Sequence, residues 1–176
     1  MKKIKNIKEI NADIVLLDSE DKQIIEEIVK YEEEVFGEGA IGIWNIKPFI
    51  KYGKVYVLSS IEGEKELVSV IEIIKDFKKP KVYIYGFFTK EKFRNKGYGN
   101  IFLKSIIKEL HDTHGINEIE LTVSPENKRA ISLYEKNGFQ KEILLKDEYG
   151  EGENRYLMAK KWEYYKIIIE ERNFLV

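Results

Sequence analysis

The chain has 176 residues, with 30 Lys and Arg against 31 Asp and Glu and a formal net charge of −1. That balance speaks against a nucleic-acid binder, which needs a basic excess, and the length sets one compact domain over residues 1–176 as the expectation. No cysteine is present, which excludes disulfides, thiolate catalysis and cysteine-ligated metals and fits a reducing compartment.

Met1-Lys2-Lys3-Ile4-Lys5 opens on basic charge but leads into no apolar run of about 18 residues, so no signal peptide or membrane span is expected. A soluble, cytoplasmic protein is. Ala12 to Leu17 reads as the first strand, and Asp18-Ser19-Glu20-Asp21 supplies capping residues for a helix through about Phe36. Ile24, Ile25, Ile28, Val29, Val35 and Phe36 have helical spacing, and Gly37-Glu38-Gly39 ends the run. A second helix is expected over Ile43 to Tyr52, with Pro48 near its start or at a kink.

The β-branched runs at 54–60 and 66–74 read as a hairpin turning at Ile61 to Lys65 around Gly63. A further turn at Asp76 to Lys81 leads into the strand Val82-Tyr83-Ile84-Tyr85-Gly86-Phe87-Phe88, whose internal glycine predicts a bulge or a close backbone approach. A helix at 99–111 and an alternating strand at 118–123 follow. Asn127 to Lys136 reads as a helix stopped by Asn137-Gly138 in a left-handed cap. Phe139 to Leu145 and Arg155 to Trp162 read as the last strands. The expected order is β-α-α-β-β-β-α-β-α-β-β, an α/β (α+β) mixed-sheet class.

Residues Arg94-Asn95-Lys96-Gly97-Tyr98-Gly99 stand between an aromatic strand and an amphipathic helix. Two glycines let the backbone turn tightly there, and the helix that follows offers unpaired N–H groups and a partial positive charge. With Arg94 and Lys96 alongside, this is an anion site suited to phosphate or pyrophosphate. Gly-x-Gly-x-x-Gly is absent, and no Gly-Lys-Ser/Thr follows, so neither the dinucleotide fingerprint nor a P-loop is present. The pattern Arg-x-x-Gly-x-Gly resembles motif A of the GCN5-related N-acetyltransferase (GNAT) superfamily. Downstream, Asn127 to Phe139 is similar to the family's second signature, N-x-x-A-x-x-L-Y-x-x-x-G-F. The likeness covers about residues 12 to 162 and is clearest from 82 to 145.

The resemblance implies a mixed, mostly antiparallel central sheet flanked by helices and splayed between its fourth and fifth strands. It implies acetyl-CoA as cosubstrate. The amides of Asn95, Lys96, Gly97, Tyr98 and Gly99, with Arg94 and Asn100 beside them, would hold the coenzyme A pyrophosphate. Phe87, Phe88 and Thr89 would run beside the pantetheine arm as an added strand would, and a bulge near Gly86 to Phe88 would aim an N–H at the thioester oxygen. Thr89 replaces the common valine and Glu91 the frequent proline, without loss of a backbone donor. Asn127 and Ala130 would contact the cofactor, and Tyr134 would protonate the leaving thiolate, since a phenol of pKa ~10 carries its proton at neutral pH.

The resemblance leaves the base open, because the strand at 82–88 offers Tyr83 and Tyr85 but no carboxylate. Glu72 and Glu120 on the flanking strands are the candidates, beside a base acting through ordered water. Glu32, Glu33, Glu34 and Glu38 read as a solvated helix end, with recruitment of a cationic amine as the alternative. His111 and His114 suit a helix C-terminus and lack a third metal ligand; no metal is expected. The apolar tail from Trp162 through Leu175 would pack on the sheet or join subunits. The expected partner is a small-molecule or peptide amine, cationic if the acidic segment recruits it, with neither nucleic acid nor membrane involved; monomer and homodimer both stay open. The competing readings are a non-catalytic acyl-CoA-binding or regulatory module on the same fold and a nucleotide-binding protein.

Overall fold

A computed structural model describes residues 1–61 and 65–162. Gly63 of the expected hairpin turn and the tail beyond Trp162 lie outside the described residues. Eight strands form one mixed sheet: β1 (Lys2–Ile7), β2 (Ala12–Leu16), β3 (Lys54–Ser60), β4 (Glu66–Lys75), β5 (Lys81–Thr89), β6 (Glu118–Val123), β7 (Gln140–Leu145) and β8 (Arg155–Lys161), in the order β1-β2-β3-β4-β5-β6-β8-β7. Among the described residues four helices accompany them: α1 (Lys22–Phe36), α2 (Gly42–Tyr52), α3 (Tyr98–His114) and α4 (Lys128–Lys136). No described helix is long and apolar enough to cross a membrane.

Chain contacts divide the protein into two compact units. One comprises Met1–Ile74 with Tyr85–Phe102, the other Lys75–Ile84 with Leu103–Val176, so β5 contributes to both. In the first unit, β2 pairs antiparallel with β1 and β3, and β3 with β4. β1 is an addition to the expected order. Its sequence, Lys2-Lys3-Ile4-Lys5-Asn6-Ile7, carries three lysines, which disguise it as a basic tail but suit a sheet edge, where charge discourages further pairing.

The core of this unit joins Ile25, Ile28 and Val29 of α1 and Ile46 of α2 to Val15, Val55, Val57, Leu67, Val70 and Phe88 of the strands. Val35 and Phe36, expected on the same apolar face, are each 41% exposed, because the buried stripe of α1 leaves the apolar residues and continues to Glu32. Asp21 precedes α1 without capping it by its side chain. Its carboxylate instead holds the Met1 ammonium and accepts from the Asp18 N–H. Pro48 lies inside α2 and gives no N–H to the carbonyl of Trp44, a residue 90% exposed, so solvent can satisfy that oxygen.

In the second unit, β5 pairs parallel with β6 from Lys81↔Glu118 to Ile84↔Leu121. β8 pairs antiparallel with both β6 and β7. Leu103, Ile106, Ile107 and Leu110 of α3 are buried, as are Ile119, Leu121 and Val123 of β6 and Ile131 of α4. Gly138 closes α4 at φ 87°, the left-handed conformation read from Asn137-Gly138.

Candidate active site

β5 ends at Thr89 and a short 3-10 turn, Glu91–Phe93, carries the chain to α3. Asn95 (φ 63°) and Gly97 (φ 85°) take left-handed conformations, so the backbone doubles back before the helix begins at Tyr98. The first N–H groups of α3 have no acceptor within the helix and carry its positive end. Gly99 brings that end against β5: a Cβ there would stand 2.9 Å from Thr89 Oγ1 and 3.7 Å from Phe87 Cζ. Thr89 Oγ1 lies 3.0 Å from Ser69 Oγ, which also donates to the Phe88 carbonyl. Arg94 donates Nε to the Thr89 carbonyl at 2.9 Å. Phe87, Phe88, Thr89, Arg94 and Gly99 are thus gathered in one place, with Lys96 exposed and Asn100 half-buried alongside.

Deeper in the same unit, Glu72 of β4 is 0% exposed and Glu32 of α1 is 1% exposed. Glu32 Oε2 accepts the Ile41 N–H at 3.0 Å, tying α1 to the start of α2. Among the described residues, Glu32 Oε1 and both Glu72 oxygens lack a hydrogen-bond partner of ordinary geometry. Gly86 makes the room for them. A Cβ there would lie 2.4 Å from Glu72 Oε2 and 3.5 Å from Glu32 Oε1. The internal glycine of β5 therefore marks a close approach by a carboxylate. Burial, then the neighbouring Glu32 charge, pushes Glu72 from 4.5 up to about 9, and burial raises Glu32 as well. Such a carboxyl is a strong proton acceptor held out of water.

The other predicted residues belong to the second unit. Asn127 caps α4, its Oδ1 accepting the Ala130 N–H at 3.1 Å. Tyr134 is buried, its ring 5.7 Å from that of Phe139, and desolvation raises its phenol further above the ordinary tyrosine value. Glu120 is engaged by Lys81 Nζ at 2.9 Å. Tyr83 OH meets Thr122 Oγ1 at 2.7 Å, and Tyr149 OH lies 3.1 Å from the same oxygen. His111 donates its Nδ1–H to the Ile116 carbonyl at 2.9 Å and stacks on Trp162.

Glu32 corrects the reading of its segment: Glu33, Glu34 and Glu38 are exposed, and Glu32 is not. Its helical phase carries the signal, because it follows Ile25, Ile28 and Val29 on the buried stripe of α1. Ser69 and Tyr31 had no comparable signal, since each acts through a contact distant in sequence.

Comparison with known proteins accords with this geometry. The sequence profile described as Acetyltransferase (GNAT) family matches residues 17–139. An N-alpha-acetyltransferase of Sulfolobus acidocaldarius is 29% identical over 148 residues, 77% of this chain and 85% of its own. The solved structure of ribosomal-protein-S5-alanine acetyltransferase from Vibrio fischeri superposes with a TM-score of 0.73 at 13% identity, covering 90% of this chain and 96% of its own. That of spermidine N-acetyltransferase from Vibrio cholerae, in complex with CoA and spermine, gives 0.71 at 17% identity, covering 88% and 98%. The chain belongs to the GNAT acetyltransferase family and is an N-acetyltransferase that takes acetyl-CoA as its cosubstrate.

Proposed function

We propose that the protein acetylates a primary, cationic amine by direct attack with both substrates bound, Glu72 serving as general base and Tyr134 as general acid. The observation that carries this reading is the Glu32–Glu72 carboxyl pair beneath Gly86. Two buried carboxyls set against each other are costly when ionised unless a cation or a proton compensates them. Its own proton compensates Glu72 at neutral pH, and the cation of an acceptor ammonium compensates it when it ionises. The named relatives act in keeping with this: an N-alpha-acetyltransferase and an enzyme solved with spermine are both proteins of amine chemistry.

The residues of the donor turn fit acetyl-CoA. The Gly99 position is a cradle that a Cβ would fill, and the helix end and Arg94 offer donors to an anion. In this reading the amides of Asn95 to Gly99, with Lys96 and Asn100, bind the pyrophosphate, and Phe87 to Thr89 flank the pantetheine arm. Asn127 and Ala130 complete the donor contacts, and a splay of β5 from β6 beyond Ile84 admits the arm. The bound cosubstrate supplies an activated thioester. Once ionised, Glu72 takes one proton from the acceptor ammonium. The freed amine attacks, the N–C bond forms as the C–S bond breaks, and Tyr134 gives its proton to the departing thiolate. The second proton shed by the nitrogen restores the Tyr134 phenol. No acetyl group passes through the enzyme. Glu33, Glu34 and Glu38 draw the cation toward α1 from solution. The single domain spans residues 1–176 with a family core from about residue 12 to 162, and the protein works in the cytoplasm.

Thiol release across a panel of polyamines, amino acids and peptide N-termini tests the reading. Tyr134→Phe should lower kcat by about 100-fold, the ordinary worth of a positioned acid, with little change in KM. A Tyr134→Phe enzyme of full activity would remove the acid from the scheme.

A further inference from the structure

One face of α1 clasps the segment that leads into the donor turn. Glu27 and Tyr31 stand four residues apart, and so share that face. Glu27 Oε1 pairs with Lys90 Nζ, and that ammonium lies 5.9 Å from the centre of the Tyr31 ring. The same ring lies 4.8 Å from that of Phe88. The Tyr31 hydroxyl oxygen accepts two donors, the Glu91 backbone N–H at 3.0 Å and Arg94 Nη2 at 3.3 Å. With Nε on the Thr89 carbonyl, the guanidinium is fixed at two points. Of the five N–H donors a guanidinium carries, these contacts occupy two and leave three for an anion.

We propose that Tyr31 is a positioning residue for the acetyl donor: its hydroxyl sets the Glu91–Arg94 turn and the Arg94 fork in place before the anionic part of acetyl-CoA arrives. The proposal rests on the reading of residues 94–99 as the pyrophosphate turn. A free arginine must be immobilised when it engages a phosphate, and an arginine already held loses less freedom on binding. The neighbouring residue on α1, Glu32, reaches the carboxyl pair with Glu72, so two adjacent side chains of one helix serve the two halves of the reaction.

The test compares acetyl-CoA with acetyl-pantetheine, a donor that lacks the pyrophosphate, in Tyr31→Phe, Arg94→Ala and the double variant. Phenylalanine keeps the ring on Phe88 and removes only the hydroxyl. Tyr31→Phe should raise the KM for acetyl-CoA about five-fold, because the Arg94 fork loses one of its two anchoring hydrogen bonds, with kcat unchanged. It should leave kcat/KM for acetyl-pantetheine unaltered, and it should add nothing to Arg94→Ala. An equal loss with both donors would make Tyr31 a structural residue only and overturn the proposal. Additive effects of the two substitutions, or an unchanged KM for acetyl-CoA in Tyr31→Phe, would overturn it too. If Arg94→Ala itself left the KM for acetyl-CoA unchanged, the reading of the turn would fall and take the proposal with it; a KM raised by Arg94→Ala but not by Tyr31→Phe sinks the proposal alone.

Discussion

Glu72 and Glu120 are strand glutamates on either side of β5 in the order of the sheet, and they meet opposite fates. Glu120, on β6, finds the Lys81 ammonium at 2.9 Å. Glu72, on β4, faces another carboxyl and the bare backbone of Gly86. The first is a paired charge of the ordinary partly exposed kind, of small energetic consequence. The second is a buried group that keeps its proton at neutral pH and destabilises the fold whenever it ionises. Glutamates of similar local sequence are thus separated by what stands opposite each of them. A buried carboxyl set against a second carboxyl persists where a function compensates its cost.

The largest effect that could break this contrast is on turnover. Glu72→Gln should lower kcat/KM for the acceptor by about 100-fold or more, the range of a general base, whereas Glu120→Gln should stay within about three-fold. A thiol-release assay decides, and a larger loss at Glu120 would reverse the assignment. Next is Gly86→Ala. The added methyl meets Glu72 Oε2 at 2.4 Å, so it should displace the carboxylate and lower both activity and stability, by about 1–3 kcal/mol in the latter. In a Glu72→Ala background, calorimetry should find most of that stability loss gone.

The pH profile sharpens the contrast further. With Glu72 raised to about 9, the basic form is scarce at pH 7, and kcat/KM for the acceptor should climb with pH and bend near 9. Glu32→Gln leaves the burial of Glu72 in place but removes the charge that adds to it, so the bend should move to lower pH. An amine titrating on its own would leave the bend in place. Stability should run the other way. The folded state holds the Glu72 proton between 4.5 and about 9 while the unfolded chain has released it, so wild-type stability falls across that window. The Tm gain of Glu72→Gln over wild type should therefore grow with pH from about 5 to 9, and Glu120→Gln should show no such trend. The smallest effect belongs to the surface: neutralising Glu33, Glu34 and Glu38 should raise the acceptor KM several-fold at low salt and flatten its salt dependence.

Much of this was legible in the chain. The turn of Arg94 to Gly99 depends on left-handed residues and a helix start, and both are local properties that glycine spacing and periodicity report. Asn127 and Gly138 bracket α4 for equally local reasons, an N-cap and a left-handed stop. The strand β1 was not legible, because its lysines answer to its place at the sheet edge rather than to its own periodicity.

By itself the sequence determined the family, the element order from β2 onward and the left-handed turn before α3, since each rests on residues near one another in the chain. Only the tertiary structure decided which acidic residue is unusual. Glu32 stands among three exposed glutamates in sequence, and Glu72 in a strand buried from Leu67 to Ile73. Forty residues separate them, and a third segment supplies the glycine that lets them meet. The proton affinity of a carboxylate depends on the water and charge around it, and folding alone sets those.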